Sequence, residues 1–220
     1  MIKKIVLFSL CPILALLSYA GYGQSELLPF RYGIKIGMTS STFARDFQPL
    51  STPRIAPLGG FSAEYQIIDI LSVSIDALYI GHGVSNRQIS SNPLVEESLA
   101  MHGIDAPLVV NIYPLGIGSR TIPNFFAGHS FGFNLYDLSY KYYQIGELNG
   151  VPFFAKSMQN VTSDYKLLDF GVLVGTGILI LSERGSISID FSYRVGYMDI
   201  TNQFGKISTN TALVSFTYWL

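Results

Sequence analysis

Between Ser186 and Tyr197 the chain reads SISIDFSYRVGY, with Ile187, Ile189, Phe191, Tyr193, Val195 and Tyr197 on one parity and Ser186, Ser188, Asp190, Ser192, Arg194 and Gly196 on the other. Successive side chains of a β-strand point to opposite faces, so this stretch makes a strand with one apolar and one polar face. The same split runs through LSVSIDALY (Leu71 to Tyr79), FSAEYQI (Phe61 to Ile67) and RYGIKIGMT (Arg31 to Thr39). Ile104 to Tyr113 and Leu168 to Ile180 follow it, and Phe125 to Leu135 does so less cleanly. In TALVSFTYWL, Ala212, Val214, Phe216, Tyr218 and Leu220 oppose Thr211, Ser215 and Thr217, so this segment is expected to be built into the sheet up to its last residues.

The reading is all-β, with eight expected strands at 31–39, 58–68, 70–80, 102–113, 123–135, 166–181, 186–197 and 207–220. Their connections alternate between long and short: 40–57 is long, the one near Asp69 short, 81–101 long, 114–122 short, 136–165 very long, 182–185 short and 198–206 medium. Short turns at one end and longer loops at the other are the plan of a single eight-stranded antiparallel up-and-down barrel crossing an outer membrane.

Which face meets lipid is decided by charge. Charged residues make up 13% of the chain, against about 25% in a soluble domain, which leaves too few to clothe a wet exterior. Turned outward, the apolar parity meets lipid, and Lys35, Glu64, Asp76, Asp105, Asp169, Asp190 and Arg194 become a structural polar network in the lumen. An eight-stranded barrel is just wide enough for side chains to fill. Tyr32, Tyr79, Tyr113, Tyr197 and Tyr218, near strand ends, are expected to form interfacial girdles. The opposite assignment is a soluble secreted lipocalin-like barrel with an apolar ligand inside.

Residues 1–23 read as a cleavable signal peptide, with Lys3 and Lys4, an apolar run from Ile5 to Leu17, and small residues at Ala20, Gly21 and Gly23. Residues 24–220 are then the barrel domain. The sole cysteine, Cys11, falls within the leader, so no thiol chemistry is expected after cleavage. A net charge of −1 gives no reason to expect a nucleic-acid partner.

GHSFG, Gly128 to Gly132, matches the G-x-S-x-G nucleophile pattern. That elbow needs a strand, a sharp turn and a helix, with a histidine later in the chain. His82, His102 and His129 all precede Ser130, and adjacent strand residues face opposite ways, so a lipid-acting hydrolase using Ser130 is the weakest alternative. GVLVGTG is better explained by small residues in a crowded lumen than by a phosphate cradle. The three histidines lack metal-ligand spacing. No catalytic residue, metal or cofactor is expected.

The segment from Tyr136 to Tyr165 is the expected locus of a specific role: Tyr140, Tyr142, Tyr143, Phe153 and Phe154 either contact a protein partner, since aromatic residues dominate interaction hot spots, or extend the girdle and cap the barrel mouth.

VSFTYWL resembles the aromatic-ended last strand that the barrel-assembly machinery recognises, departing from it in ending on Leu220 after Trp219. RYGIKIGMTSSTF, IDAPLVVNIYPLG, FFAGHSFGFNL, and LDFGVLVGTGILI followed by SISIDFSYRVGYMDI resemble the successive blocks of PorT-like small outer-membrane β-barrels of Gram-negative bacteria. That resemblance implies outer-membrane lipid and the assembly machinery as partners, and a non-enzymatic accessory, adhesion or secretion-associated role through loops or periplasmic rim.

Overall fold

The computed structural model describes residues 29–44, 52–91, 94–116, 120–148, 151–182, 185–202 and 207–220. The leader expected over residues 1–23, with Cys11, lies outside the described residues. Among the described residues nine strands form one antiparallel sheet: β1 (Phe30–Ala44), β2 (Thr52–Ile68), β3 (Leu71–Ser91), β4 (Leu94–Ile112), β5 (Thr121–Leu148), β6 (Val151–Asn160), β7 (Leu168–Ser182), β8 (Gly185–Gly196) and β9 (Ser208–Trp219). Eight of them close a ring in the order β1-β2-β3-β4-β5-β7-β8-β9 and back to β1. Closure is made by β1 against β9, from Gly33 opposite Trp219 to Ala44 opposite Ser208. Among the described residues no helix is long and apolar enough to cross a membrane.

The period-two pattern sets the two faces. Ile34, Ile36, Phe61, Ile75, Leu108, Val174, Ile189, Phe191 and Phe216 lie exposed on the outer wall, while Ser62, Asp76, Asp105, Asp169, Asp190, Arg194 and Thr217 are buried within. The apolar parity therefore faces outward, as the low charge content requires, and a water-soluble barrel with an apolar interior is excluded.

Three expectations are corrected. The segments taken as long loops are mostly strand. β3, β4 and β5 run 21, 19 and 28 residues, whereas a tilted strand crosses a bilayer in about 9–11. β3 and β4 stay paired up to Ser91 opposite Leu94, β5 and β6 up to Leu148 opposite Val151, and Pro53 lies within β2 opposite Val84. Beyond the lipid both faces are wet, so alternation fades although backbone pairing continues.

The 136–165 segment in particular is not a loop. The upper part of β5 pairs with β4 on one side and with β6, a ninth strand outside the ring, on the other, from Leu138 opposite Asn160 to Leu148 opposite Val151. The third correction is Tyr113, which was expected in the girdle. Ile104, Leu108, Val110 and Ile112 point outward, so Tyr113 takes the opposite parity and is 2% exposed inside the barrel. Tyr79, Tyr197 and Tyr218 are exposed on the outer wall.

If the outer wall meets lipid, Ile189→Arg, on a lipid-facing position, lowers folding stability by about 2–4 kcal/mol. Urea titration in liposomes, followed by fluorescence of the sole tryptophan, Trp219, measures this, and an unchanged midpoint would overturn the assignment of faces.

Candidate functional site: a layered lumen and an extracellular cap

The inward parity of the ring stacks the lumen in layers, ordered here from the end with short turns. At the bottom Tyr113, Ile122, Leu179 and Trp219 form a buried apolar floor. The Arg31 guanidinium lies 4.7 Å above the Trp219 ring and 5.9 Å from that of Tyr113, a cation–π arrangement. Arg31 Nη2 donates to Glu64 Oε1 and to the Tyr113 hydroxyl, each at 2.8 Å, and the Tyr113 hydroxyl in turn donates to Glu64 Oε1 at 2.8 Å. Ser72 completes the carboxylate's shell at 2.6 Å.

One strand turn above Arg31 on β1, Lys35 Nζ meets Asp76 Oδ2 at 2.6 Å, and Ser62 donates to the same carboxylate. Asp190 lines the adjoining cavity of about 40 Å³ together with Lys35, Glu64 and Asp76, which is room for roughly three water molecules. The glycines of GVLVGTG make space at this level. A Cβ on Gly175 would strike the Phe126 ring, and one on Gly177 would strike Asp190 and Asn124. Leu58, Leu78, Ile80, Val109, Leu173 and Leu213 pack with Phe126 into a middle apolar layer.

The upper polar layer is centred on Arg194, which is 2% exposed. Its Nε donates to Ser130 Oγ at 2.7 Å, Nη1 donates to Thr209 Oγ1 at 2.8 Å and meets Asp169 Oδ2 at 3.0 Å, and Asp105 Oδ2 lies 3.8 Å from Nε. Ser130 donates to Asp105 Oδ1 at 2.5 Å and Thr209 to Asp169 Oδ2 at 2.8 Å. Four strands besides β8 thus supply the partners of one guanidinium. Buried charges are tolerated only when so paired and hydrogen-bonded.

The seven lumen residues named from sequence are thereby divided: Lys35 with Asp76 and Asp190 in one layer, Arg194 with Asp105 and Asp169 in another, and Glu64 with Arg31 in a third. Arg31, Tyr113 and Trp219 were missed as lumen members. Parity alone marks Arg31, Tyr113 and Trp219 as inward, and the aromatic character of Tyr113 points to the interface instead.

Above Arg194 the described residues pack across the mouth. Phe43, Val84, Leu99, Met101 and Ile200 form a third apolar cluster, covered by Val161, Tyr165 and Ile207. Ile200, 0% exposed, descends from the segment after β8. That segment is stitched to the residues after β6: Lys166 N donates to Ile200 O at 2.7 Å, Asn202 N to Asp164 O at 2.9 Å, and Asn202 Nδ2 to Ser163 O at 3.0 Å and Tyr165 O at 3.2 Å. Asp199 is the clasp, accepting from the amides of Thr201 (3.2 Å) and Ile207 (3.1 Å) and pairing with Lys166 Nζ at 3.2 Å. Burial works against the Asp199 carboxylate, but the two amides and the Lys166 ammonium outweigh it and hold the group below the usual carboxylate range.

The loop aromatics fall on two faces of the protruding sheet. Tyr140 and Tyr142 flank Lys156, whose Nζ lies 4.6 and 5.6 Å from their ring centres. Tyr143 opposes Ala155, one residue out of phase with them, and is exposed, as are Phe153 and Phe154. At the base of this sheet Tyr79, His102 and Tyr136, on three adjacent strands, join through Tyr79 Oη to His102 Nδ1 (2.9 Å) and Tyr136 Oη (3.2 Å), marking the rim of the apolar belt. Ser130 and His129 point to opposite sides of the wall, and the Ser130 hydroxyl is engaged by Asp105 and Arg194. Among the described residues no group of three or more His, Cys, Asp or Glu side chains is arranged to hold a metal.

A family model described as outer membrane protein beta-barrel domain matches residues 22–202. No curated protein matches the chain. Among solved structures, Neisserial surface protein A is 15% identical, with 87% of this chain and 97% of that one covered and a TM-score of 0.43. The attachment invasion locus protein Ail of Yersinia pestis is 13% identical, covering 88% and 100%, with a TM-score of 0.39. The outer membrane protein OprG of Pseudomonas aeruginosa is 12% identical, covering 87% and 94%, with a TM-score of 0.46.

Two outcomes are expected. Arg194→Leu, which strands Asp105 and Asp169, costs about 3–5 kcal/mol, and adding Asp105→Asn and Asp169→Asn recovers part of it, as read by urea unfolding from liposomes. Because the Asp199 carboxylate is depressed in the folded chain, the cap's stabilisation is present above the ordinary carboxylate pKa and is lost as pH falls through the lower folded value. Protection of the Ile200 and Ile207 amides, taken relative to the intrinsic exchange rate at each pH, should therefore fall on acidification, and should be reduced already at neutral pH in Asp199→Asn.

Proposed function

The chain belongs to the outer membrane protein beta-barrel domain family, and from that we propose that it is a non-enzymatic, closed barrel that works by presenting its extracellular sheet to a protein partner. It lies in the outer membrane, where the belt of exposed Ile, Val, Phe and Leu meets lipid. The observation that carries the proposal is the stacking of the lumen. Three apolar layers enclose the ion-paired groups of Arg31, Lys35 and Arg194 under a hydrogen-bonded cap, an arrangement suited to rigidity rather than passage.

What remains open to solvent is the sheet formed by the upper halves of β3, β4 and β5 with β6. It offers Tyr143, Phe153, Phe154 and Met158 at 36–64% exposure. Exposed aromatic side chains of this kind, on both faces of the sheet, suit partner binding. Among the described residues β6 pairs only with β5, so its far edge also offers backbone groups to an extended segment of a partner. This reading supports an adhesion or accessory role; the secretion-associated role implied by the PorT-like resemblance is the narrower form of it, with the same sheet as contact surface. The barrel-assembly machinery is the expected partner during biogenesis, through the strand ending at Trp219 and Leu220. A hydrolase reading is disfavoured because the Ser130 hydroxyl is committed to the Arg194 layer and His129 lies on the other face.

Removing Gln144 to Ser157 should leave the ring able to fold, with gel migration in SDS still shifted by boiling, while attachment of cells displaying the protein falls at least tenfold. Undiminished attachment would overturn the role of the sheet. In planar bilayers the intact chain is expected to give no stepwise conductance, and regular openings would overturn the closed lumen.

A further inference from the structure

One side chain breaks the rule that the outer wall is apolar. His129 faces outward from β5 at mid-height, opposite Leu108 on β4 and Val172 on β7. Between the tyrosine rims it is, among the described residues, the one acidic or basic side chain on the outward parity of the ring. His129 is eight residues above Thr121 and seven below Tyr136, so it lies near the middle of an apolar band about 25 Å tall, on the order of 10 Å from either edge. Lipid headgroups are beyond its reach, and acyl chains offer neither donor nor acceptor. No hydrogen bond to it is made among the described residues.

An imidazole exposed to hydrocarbon leaves an N–H and a ring nitrogen unsatisfied, which is unfavourable. The geometry points to a second copy of this chain as its partner, docked through the β4–β5–β7 wall about a two-fold axis along the membrane normal. Such an axis brings equivalent residues together at equal depth. The group at its centre must then pair with its own copy, and neutral imidazole can: one nitrogen donates and the other accepts, so one ring gives its N–H to the bare nitrogen of the other, which halves the unsatisfied polar groups of the pair. Small neighbours favour close approach. Ala127 lies two residues away on the same face and Ala106 diagonally across on β4, and small residues are what let membrane-embedded surfaces meet closely.

The full chain and His129→Leu, labelled in two colours and reconstituted into liposomes at matched dilution, are compared by energy transfer. An intramembrane hydrogen bond is worth about threefold to tenfold in association, so His129→Leu should dimerise that much less readily. His129→Gln, which keeps one donor and one acceptor, should retain most of the pairing. In a Cys11→Ser background, Ala127→Cys should form a disulfide-linked dimer on oxidation and Phe216→Cys, on the far wall, should not. Boiling-dependent gel migration confirms that each variant is folded. A monomeric wild type, which is also what a different protein at this face would give, overturns the proposal. So does pairing by His129→Leu equal to wild type, or cross-linking as strong at Phe216→Cys as at Ala127→Cys.

Discussion

In hydrocarbon there is no water to take up an unpaired N–H or C=O, and each one left open costs several kcal/mol. The rest of this molecule follows from that constraint. The first and last strands of the ring have to find each other, which they do over twelve residue pairs from Gly33–Trp219 to Ala44–Ser208. Once the sheet is closed, period-two alternation has no freedom left. One parity is committed to lipid and the other to an interior too narrow for a channel, so polar residues are forced into contact and must come as matched sets. The Arg194 layer, assembled from five strands, depends on closure: open the ring and its partners separate.

The closed wall also divides the chain by what its environment tolerates. Inside the belt, register is fixed, because a one-residue slip would turn Asp76 or Asp190 to lipid and Ile75 or Ile189 to the lumen. Above the belt, where water meets both faces, the strands continue but the constraint on side chains lapses. That is where the exposed aromatic residues gather and where β6 is added outside the ring. The cap formed by Ile200 and the Asp199 clasp separates the two regimes.

The same division explains what the sequence revealed. Within the belt, strand 186–197 and the lower end of 102–113 were legible nearly to the residue, since lipid and lumen impose opposite chemistry on alternate positions. The upper halves of β3, β4 and β5 were not legible: Tyr136 to Tyr165 carries no alternation because nothing requires it there, and pairing of backbones leaves no trace in side-chain identity. The lumen charges could be listed from parity, but not paired. Asp190 and Arg194 share a strand and a face yet belong to different layers, and whether Arg194 meets Asp105 or Asp76 depends on strand tilt around the ring. The cap was invisible for a third reason: Ile200 and Asp199 act through hydrogen bonds between segments more than thirty residues apart.

His129 illustrates how a closed barrel makes a single residue informative. In a soluble protein an exposed histidine is unremarked, because water satisfies it. Here the ring assigns every outward side chain to lipid, so a polar group at mid-height is either a standing cost or a contact. Its neighbours Leu108, Val172 and Ala127 fit lipid and a partner wall equally well; the imidazole does not. The same argument applies in reverse to Ser130 beside it. Turned inward by one residue of chain, its hydroxyl is fully used by Asp105 and Arg194, so adjacent positions in GHSFG serve the lumen and the outer wall separately, and the motif holds no joint chemistry.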